Sequence, residues 1–287
     1  MEKVKLVECP RDAMQGLKDF VATADKVNYL NALLDCGFDT LDFGSFVSPK
    51  AIPQMRDTSE VLSQLTEDTT TKLLAIIANE RGAEDACAFD RIDYLGYPFS
   101  VSEEFQRRNT NASIEESLVR VERIKKMTDT SGKKLVLYLS MGFGNPYGEE
   151  WNPELVLNWS ERLYNEFEIE ILALSDTIGA ATPQVVHDIF SVLIPSLPQV
   201  EFGAHLHTRK ENAKALIESA WNAGCRRFDG AIGGIGGCPM AKDDLTGNMP
   251  TEIMLDWFNG HAIETNVNRE KFEKAQQLAS LILPVIQ

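Results

Sequence analysis

The sequence has 287 residues, of which 44% are hydrophobic and 25% are charged, and its formal net charge is −15. Because it would repel phosphate, this acidic surface disfavours non-specific binding of nucleic acid or of an anionic membrane, so we expect no nucleic-acid partner and no membrane attachment. No apolar run approaches the roughly 20 residues of a membrane-spanning helix, and the first residues show no signal-peptide pattern. The five cysteines follow no framework spacing and include no Cys-x-x-Cys pair, which predicts reduced thiols and a cytoplasmic location.

Short apolar runs rich in β-formers alternate along the chain with longer segments of helical pattern. The predicted strands cover residues 4–9, 40–44, 72–78, 91–96, 135–140, 170–175, 200–207 and 227–231. The predicted helices cover residues 22–36, 53–65, 83–88, 113–130, 153–166, 183–194 and 211–223, and two more begin near residues 251 and 268. Ser113 followed by Glu116 is typical of a capping box.

This alternation predicts an α/β protein, a single-domain (β/α)8 TIM barrel, because about eight strand–helix units imply parallel strands joined by right-handed crossovers. We expect one catalytic domain over residues 1–287, with the barrel at about 3–262 and an extra C-terminal helix at about 268–285. The alternative is a doubly wound open sheet, which usually carries a Gly-x-Gly-x-x-Gly loop after its first strand. Here that strand ends in Cys9-Pro10-Arg11-Asp12-Ala13 instead, and the barrel is favoured.

Two of the four histidines, His205 and His207, lie in the seventh predicted strand. Alternate residues of a strand share one face, so the two imidazoles would point the same way. They are interpreted either as two nitrogen ligands of a divalent metal or as partly buried histidines that bond to the backbone. Asp12 would complete a two-histidine, one-carboxylate set, and Asn248 could add an amide oxygen. Such a set tolerates Mg²⁺, Mn²⁺ or Zn²⁺.

The active site of a barrel lies at the carboxyl ends of its strands. The polar residues at those ends are Arg11, Asp12, Asp42, Ser45, Asn79, Ser140, Asn145, Asp176, Thr177, His205 and His207. Arg11 could stabilise an enolate or hold a carboxylate, or it forms an ordinary salt bridge with its neighbour. Asp42 and Asp176 either orient a ligand or act as helix N-caps.

A glycine-rich segment, Gly233-Gly234-Ile235-Gly236-Gly237-Cys238-Pro239, follows the eighth predicted strand. Its glycines either cradle an anion or only permit tight turns. Cys238, in such a loop over a barrel mouth, can swing in as a proton donor or acceptor. Most free cysteines are instead small buried hydrophobic residues, and the other four cysteines are interpreted in that way.

Seven short segments carry a family signature in its usual order over almost the whole chain. They are VECPRDAMQ (7–15), SFVSPK (45–50), PQM (53–55), DTIG (176–179), HLH (205–207), GIGGCP (234–239) and GNMPTE (247–252). With these segments the chain resembles the 3-hydroxy-3-methylglutaryl-CoA lyases, a branch of the metal-dependent lyases and Claisen-condensing enzymes with (β/α)8 barrels. The SFVSPK segment with the nearby PQM, and the Gly-Gly-Cys-Pro loop, are specific to the lyase branch.

The resemblance implies retro-aldol cleavage of an acyl-CoA, 3-hydroxy-3-methylglutaryl-CoA, to acetyl-CoA and acetoacetate. The implied metal ligands are Asp12, His205, His207 and Asn248. The implied catalytic residues are Arg11, Asp12, Asp42, Cys238 and His205. Arg11 would stabilise the enolate of the acetyl thioester, Asp42 stands where the family has a glutamate, and Cys238 would help to move a proton from a loop that closes over the substrate. The cofactor is expected to be Mg²⁺ or Mn²⁺ before Zn²⁺.

Departures from the family pattern lie close to the expected site. Thr208 replaces an aspartate, Ala13 a glycine, Asn145 a cysteine, and Gly16-Leu17 an Asn-Glu pair. Such changes retune ligand orientation and substrate fit. Two further functions therefore stay open, a related enzyme that cleaves or condenses a different 3-hydroxy acid or acyl-CoA, and a catalytically weak barrel that binds a metabolite. Homo-oligomerisation is compatible with such a barrel, and nothing in the sequence specifies it.

Overall fold

The computed structural model describes residues 2–237 and 246–284. Its barrel strands are β1 (Lys5–Glu8), β2 (Thr40–Ser45), β3 (Lys72–Ile76), β4 (Tyr94–Ser100), β5 (Lys134–Ser140), β6 (Ile171–Asp176), β7 (Glu201–Leu206) and β8 (Arg227–Gly230). Each strand pairs in parallel with its neighbours in the chain, and β8 pairs with β1 to close the barrel. The predicted fold class is confirmed.

Helices surround the barrel and alternate with its strands. They are α1 (Pro10–Gln15), α2 (Thr23–Cys36), α3 (Thr58–Leu62), α4 (Glu80–Cys87), α5 (Glu103–Thr110), α6 (Ile114–Thr130), α7 (Pro153–Phe167), α8 (Pro183–Ser196), α9 (Lys210–Asn222), α10 (Thr251–Gly260) and α11 (Arg269–Ile282), with short 3₁₀ helices at Pro53–Met55 and Ile232–Gly234. Among the described residues, no helix has both the length and the apolar character needed to cross a membrane.

The middle of the barrel is filled by side chains rather than left as a pore, as in other barrels of this kind. A separate apolar cluster there consists of Leu74, Tyr94, Val136, Tyr138, Ile171 and Ala173. Several of these residues are two positions apart on one strand, as inward-facing residues must be. The larger apolar core fills the layer between the strands and the helices.

Two helices were not predicted from the sequence, and both begin beside the carboxyl ends of strands. The helix α1 starts at Pro10 directly after β1, and its six residues are too few to show a periodic pattern. The helix α5 is capped by the Ser102 side chain, which accepts a hydrogen bond from the Phe105 N–H at 3.1 Å. Its sequence contains a single apolar residue, so it carries no apolar stripe.

Other differences concern element boundaries. The helix predicted over residues 53–65 is a 3₁₀ turn followed by the shorter α3, and the fourth strand begins at Tyr94 rather than at residue 91. The capping box of Ser113 and Glu116 is confirmed, since each side chain accepts from the other's backbone N–H at 3.1 and 2.8 Å. The extra C-terminal helix is α11, whose Phe272 packs edge-on against Phe38 after α2.

Candidate active site

The helix α1 carries Arg11 into the barrel mouth, where it forms a buried ion pair with Asp42 of β2. Arg11 Nη2 lies 2.6 Å from Asp42 Oδ2, and Nε lies 3.1 and 3.0 Å from the two carboxylate oxygens. Arg11 Nη1 donates to Asp12 at 3.2 Å and to Gln15 at 2.7 Å. Burial raises the pKa of Asp42 to about 6, although Arg11 acts in the opposite direction. Arg11 and Asp12 are both buried as well, so the Arg11–Asp12 contact is internal and not an ordinary surface salt bridge.

Asp12 is held by three donors. Besides Arg11, the side-chain amides of Gln15 and Asn248 donate to its carboxylate, Gln15 to one oxygen and Asn248 to the other at 2.6 Å. Burial alone would raise the pKa of Asp12, but Arg11 and the two histidines opposite lower it below its usual value. Asp12 is therefore a fixed, negatively charged oxygen donor at neutral pH.

The strand β7 and the residue after it bring two imidazoles beside Asp12. His205 and His207 lie with ring centroids 5.4 Å apart, and one ligand atom from each of Asp12, His205 and His207 lies within 4.8 Å of the others. The described residues thus bring together the predicted two-histidine, one-carboxylate group.

His207 is poised as a nitrogen donor. Its Nδ1 lies 3.3 Å from the backbone carbonyl oxygen of Thr177, and its Nε2 is buried without a hydrogen-bond partner among the described residues. Burial and the neighbouring His205 lower the pKa of His207 to about 4. A neutral ring with an unpartnered, buried lone pair fits a metal ligand, because a buried polar atom without a partner is otherwise costly.

His205 has a different partner. Its Nδ1 lies 3.1 Å from Asp229 Oδ2 on β8, which leaves Nε2 as the nitrogen for the cavity. Burial by itself would lower the pKa of His205, but the hydrogen bond and charge of Asp229, together with Asp12, raise it. Asp229 was not among the site residues predicted from the sequence. It lies on β8 two residues after Arg227, so these two charged side chains share one face of the strand.

Asn248 reaches the site through an antiparallel contact with the end of β7. The Met249 N–H donates to the Leu206 carbonyl at 3.0 Å, and Asn248 forms a bridge with His207. The Asn248 amide nitrogen donates to Asp12 and, at 2.9 Å, to the Ile235 carbonyl. Its nitrogen rather than its oxygen faces Asp12, so a ligand role for the oxygen stays a prediction.

A second group of possible ligands shares His205. Cys9, His205 and Asp229 also lie close enough to surround an ion. Burial, followed by the charge of Asp229, raises the pKa of the Cys9 thiol well above its ordinary value. The thiolate that a metal requires is therefore disfavoured, and Asp12 with the two histidines is the better metal group.

A cavity of about 270 Å³ opens onto these residues. Its polar lining residues are Arg11, Asp12, Gln15, Asn109, Thr110, Tyr138, Ser140, Ser175, Thr177, His205 and His207. Its apolar lining residues are Val47, Ala51, Ile52, Ile76, Ile77, Ala78, Pro98 and Phe105. Asp42 does not line this cavity, so its contacts assign it to holding Arg11.

Two further predicted residues, Asp176 and Asn79, follow cavity-lining residues in the chain and accept hydrogen bonds from backbone N–H groups. Asp176 accepts hydrogen bonds from the Ala180 and Ala181 N–H groups at 2.8 and 2.9 Å, and burial raises its pKa to about 6. It thus shapes the turn before α8, whose N-cap is Thr182. Asn79 caps α4. Cys238 lies outside the described residues.

Two residues that depart from the family pattern, Asn145 and Thr208, form hydrogen bonds with the backbone of other residues. Asn145 accepts from the Tyr147 and Glu149 N–H groups and so closes the loop after β5. The Thr208 N–H donates to the Gly247 carbonyl at 2.8 Å. Gln15, within a quoted motif but without an assigned role, connects Arg11 to Asp12. Arg11 and Gln15 are four residues apart on α1 and so share one face of it, but this helix was not predicted from the sequence and neither was the contact.

One family model and two curated lyases match almost the whole chain. The HMGL-like family model matches residues 3–279. The chain is 34% identical to hydroxymethylglutaryl-CoA lyase YngG of Bacillus subtilis, covering 96% of this chain and 91% of that protein. It is 33% identical to the mitochondrial hydroxymethylglutaryl-CoA lyase of Mus musculus, covering 96% and 84% of the two chains.

Solved structures of such lyases share the whole fold. An HMG-CoA lyase from Brucella melitensis superposes with a TM-score of 0.91 at 30% identity, covering 99% of each chain. An HMG-CoA lyase from Acinetobacter baumannii, in complex with coenzyme A and 3-methylmalate, superposes with a TM-score of 0.89 at 27% identity, covering 99% of this chain and 93% of that one. The resemblance drawn from the sequence is confirmed: the chain belongs to the HMGL-like family and is a lyase.

Proposed function

We propose that this chain is a metal-dependent lyase that cleaves 3-hydroxy-3-methylglutaryl-CoA into acetyl-CoA and acetoacetate. The observation that carries the proposal is the position of Arg11 beside the group of Asp12, His205 and His207 in one cavity. The similarity to hydroxymethylglutaryl-CoA lyases over 96% of the chain supports the choice of substrate.

Asp12, His205 and His207 would hold a divalent cation through one carboxylate oxygen and two ring nitrogens. The unpartnered Nε2 of His207 supports this assignment. From the family resemblance we propose Mg²⁺ or Mn²⁺ before Zn²⁺; the carboxylate oxygen suits the first two ions, whereas the two imidazoles also suit Zn²⁺. When bound, the ion supplies a Lewis acid that lowers the pKa of the substrate 3-hydroxyl group.

Cleavage breaks the bond between C2 and C3 of the acyl chain. The 3-hydroxyl gives its proton to a water molecule that acts as the base, its oxygen becomes the ketone of acetoacetate, and the bonding electrons move to C2 as a thioester enolate. A proton delivered to C2 then yields acetyl-CoA. From the family resemblance, we assign this delivery to Cys238.

Arg11 is suited to stabilise the enolate oxygen. Its Nε–H and one Nη2–H are directed to Asp42, and both Nη1 protons are taken by Asp12 and Gln15. Within the described part of the chain, this leaves one Nη2 proton without a partner and available to substrate. A donor fixed before the reaction begins stabilises developing charge without reorganisation, and Asp42 acts as the positioning residue that fixes it.

The substrate class is an acyl-CoA. The apolar cavity wall, which includes Ile52, Ile76 and Phe105, suits the methyl group and carbon chain of a branched 3-hydroxyacyl group. The relative from Acinetobacter baumannii was crystallised with coenzyme A and a methylated hydroxy acid, which supports the same class here. We also propose a cytoplasmic location, in keeping with the free thiols among the described cysteines.

A cleavage assay tests this function. Purified protein is incubated with 3-hydroxy-3-methylglutaryl-CoA and Mn²⁺ or Mg²⁺, and acetyl-CoA release is followed with and without a chelator. We expect cleavage that the chelator abolishes and added metal restores. A folded protein that binds metal but releases no acetyl-CoA would refute the substrate, and parallel reactions with other 3-hydroxyacyl-CoA thioesters would then identify the accepted acyl group.

A further inference from the structure

The two ring nitrogens of His205 have different surroundings. Nε2 is left for the cavity, and Nδ1 contacts the carboxylate of Asp229. Its Nδ1 lies 3.1 Å from Asp229 Oδ2, and the two residues are direct partners in the pairing of β7 with β8. The barrel register therefore fixes this contact, which does not depend on a loop. The Asp229 side chain is 0% exposed, so no water competes from the surface.

The second carboxylate oxygen of Asp229 lies near a buried positive charge, that of Arg227. Arg227 lies two residues earlier on β8 and so faces the same way, with its Nε 4.0 Å from Asp229 Oδ1. Its Nη1 lies 3.3 Å from Glu201 Oε1, on β7 below His205. An isolated buried carboxylate is costly. Asp229 has the His205 ring at one oxygen and the positive charge of Arg227 near the other, and Arg227 in turn pairs with Glu201.

The two imidazoles have partners of different strength. His207 Nδ1 faces a neutral backbone carbonyl, that of Thr177, whereas His205 Nδ1 faces a carboxylate. Either oxygen favours a proton on Nδ1 and a free lone pair on Nε2. Both acceptors make the ring a stronger donor to a metal, and the negatively charged carboxylate does so more strongly, because hydrogen bonds to a charged group are the stronger ones. His205 is thus the histidine whose ligand strength depends on a single side chain.

We propose that Asp229 is a positioning residue that holds His205 in the Nδ1–H tautomer, with Nε2 directed at the metal group, and that the nearby positive charge of Arg227 stabilises the Asp229 carboxylate. This inference rests on the proposed function in one respect, since it requires a metal at Asp12, His205 and His207. It does not depend on the substrate.

The tautomer can be measured on the unmodified protein. Metal-free wild type labelled with ¹⁵N-histidine is recorded by NMR at a pH where the rings are neutral, and the His205 signals are assigned by their loss in His205→Gln. We expect the proton on Nδ1 and a free Nε2. A proton on Nε2 overturns the proposal, and this experiment requires no variant of Asp229 to fold.

Metal affinity tests the consequence. Mn²⁺ binding to the full chain is measured by calorimetry for wild type, Asp229→Asn and the control Asp57→Asn, which changes a buried carboxylate paired with Lys26 away from the cavity. Loss of the charged partner of a metal-binding histidine typically weakens affinity by roughly 10- to 100-fold. We expect that loss for Asp229→Asn and wild-type affinity for Asp57→Asn.

The outcomes separate the two proposals. Equal Mn²⁺ affinity of folded Asp229→Asn and wild type overturns the positioning role, even if the enzyme cleaves its substrate. Weaker Mn²⁺ binding by Asp229→Asn supports that role even if wild type releases no acetyl-CoA, a result that would count against the proposed function alone. Wild type that binds no Mn²⁺ overturns both.

Discussion

Arg11 and Asp42 form a two-point ion pair inside the barrel mouth, with Arg11 Nη2 2.6 Å and Nε 3.0 Å from the same Asp42 oxygen. Arg11 is on α1 and Asp42 on β2, so the pair fixes the helix against the barrel as well as orienting the guanidinium. Asp42 contacts Arg11 and is not among the residues that line the cavity, so we propose that it acts on the substrate only through Arg11.

Replacing Arg11 by lysine should impair chemistry without removing the metal. A lysine keeps the positive charge but cannot form the two-point contact or direct a second N–H at an enolate. Loss of one such donor typically lowers kcat by about 10²- to 10³-fold, and we expect a loss of that size for Arg11→Lys in steady-state assays. Mn²⁺ affinity should stay near that of wild type. The exposed Arg123→Lys is the matched control, and a normal kcat for Arg11→Lys would contradict the assigned role.

Replacing His207 by alanine should remove metal and activity together. The variant loses the buried ring nitrogen that has no other partner among the described residues. Saturating metal at about 100 times its Kd should stabilise wild type by about 2.7 kcal/mol, seen as a rise in Tm, and His207→Ala should show little of this rise. His187→Ala removes an exposed histidine of α8 and should behave as wild type. Turnover by metal-free His207→Ala would exclude the ligand set.

Four residues of the site could be predicted from the sequence, because the ends of the predicted strands and the alternation of side chains along a strand are enough to locate them. Arg11 and Asp12 follow the first predicted strand, and His205 and His207 share one face of the seventh. In a barrel all these positions converge on one mouth. Asn248 follows the eighth predicted strand and could only be offered as an added amide oxygen, because no spacing rule connects it to the others; the family resemblance then implied it as a ligand.

The partners of these residues could not be predicted. Asp229 meets His205 because β7 and β8 are paired in one particular register, and the sequence of either strand does not specify that register. Asp42 could be interpreted as a helix cap or as an orienting group, and only its distance to Arg11 distinguishes the two. The helix α5, which bears Phe105 of the cavity wall, lacks the apolar repeat from which a helix is predicted.

Glu8 should make the folded protein less stable as the pH rises. Burial raises the pKa of Glu8 to about 8, while it accepts hydrogen bonds from the Ile232 N–H and the Thr251 hydroxyl. The folded state therefore holds a proton that the unfolded chain releases near its ordinary pKa of 4.5. The stabilisation from this group is complete below that pKa and is lost as the pH rises through about 8.

Glu8→Gln is the variant that isolates this effect, since it is neutral at every pH and nearly the same shape. The free energy of unfolding is measured by urea denaturation for both proteins between about pH 5 and 9. We expect the variant to gain stability relative to wild type as the pH rises, because one pKa unit corresponds to about 1.4 kcal/mol. Stability curves that stay parallel between about pH 5 and 9 would show that Glu8 has no raised pKa.

Replacing Gly236 by alanine should disturb the metal group through the backbone. Gly236 has a φ of +103°, and a Cβ there would lie 2.6 Å from the Asn248 amide nitrogen and 2.9 Å from the Asp12 carbonyl oxygen. Both neighbours would have to shift, and Asn248 would lose its geometry with the Asp12 carboxylate. We expect Gly236→Ala to bind Mn²⁺ about 10-fold more weakly, as changes around metal ligands commonly do. Gly16→Ala, at the end of α1, adds a Cβ with nothing within 4 Å and should leave affinity unchanged. If calorimetry gave Gly236→Ala and Gly16→Ala the same Mn²⁺ affinity as wild type, the close contacts of Gly236 with Asn248 and Asp12 would not determine the geometry of the metal group.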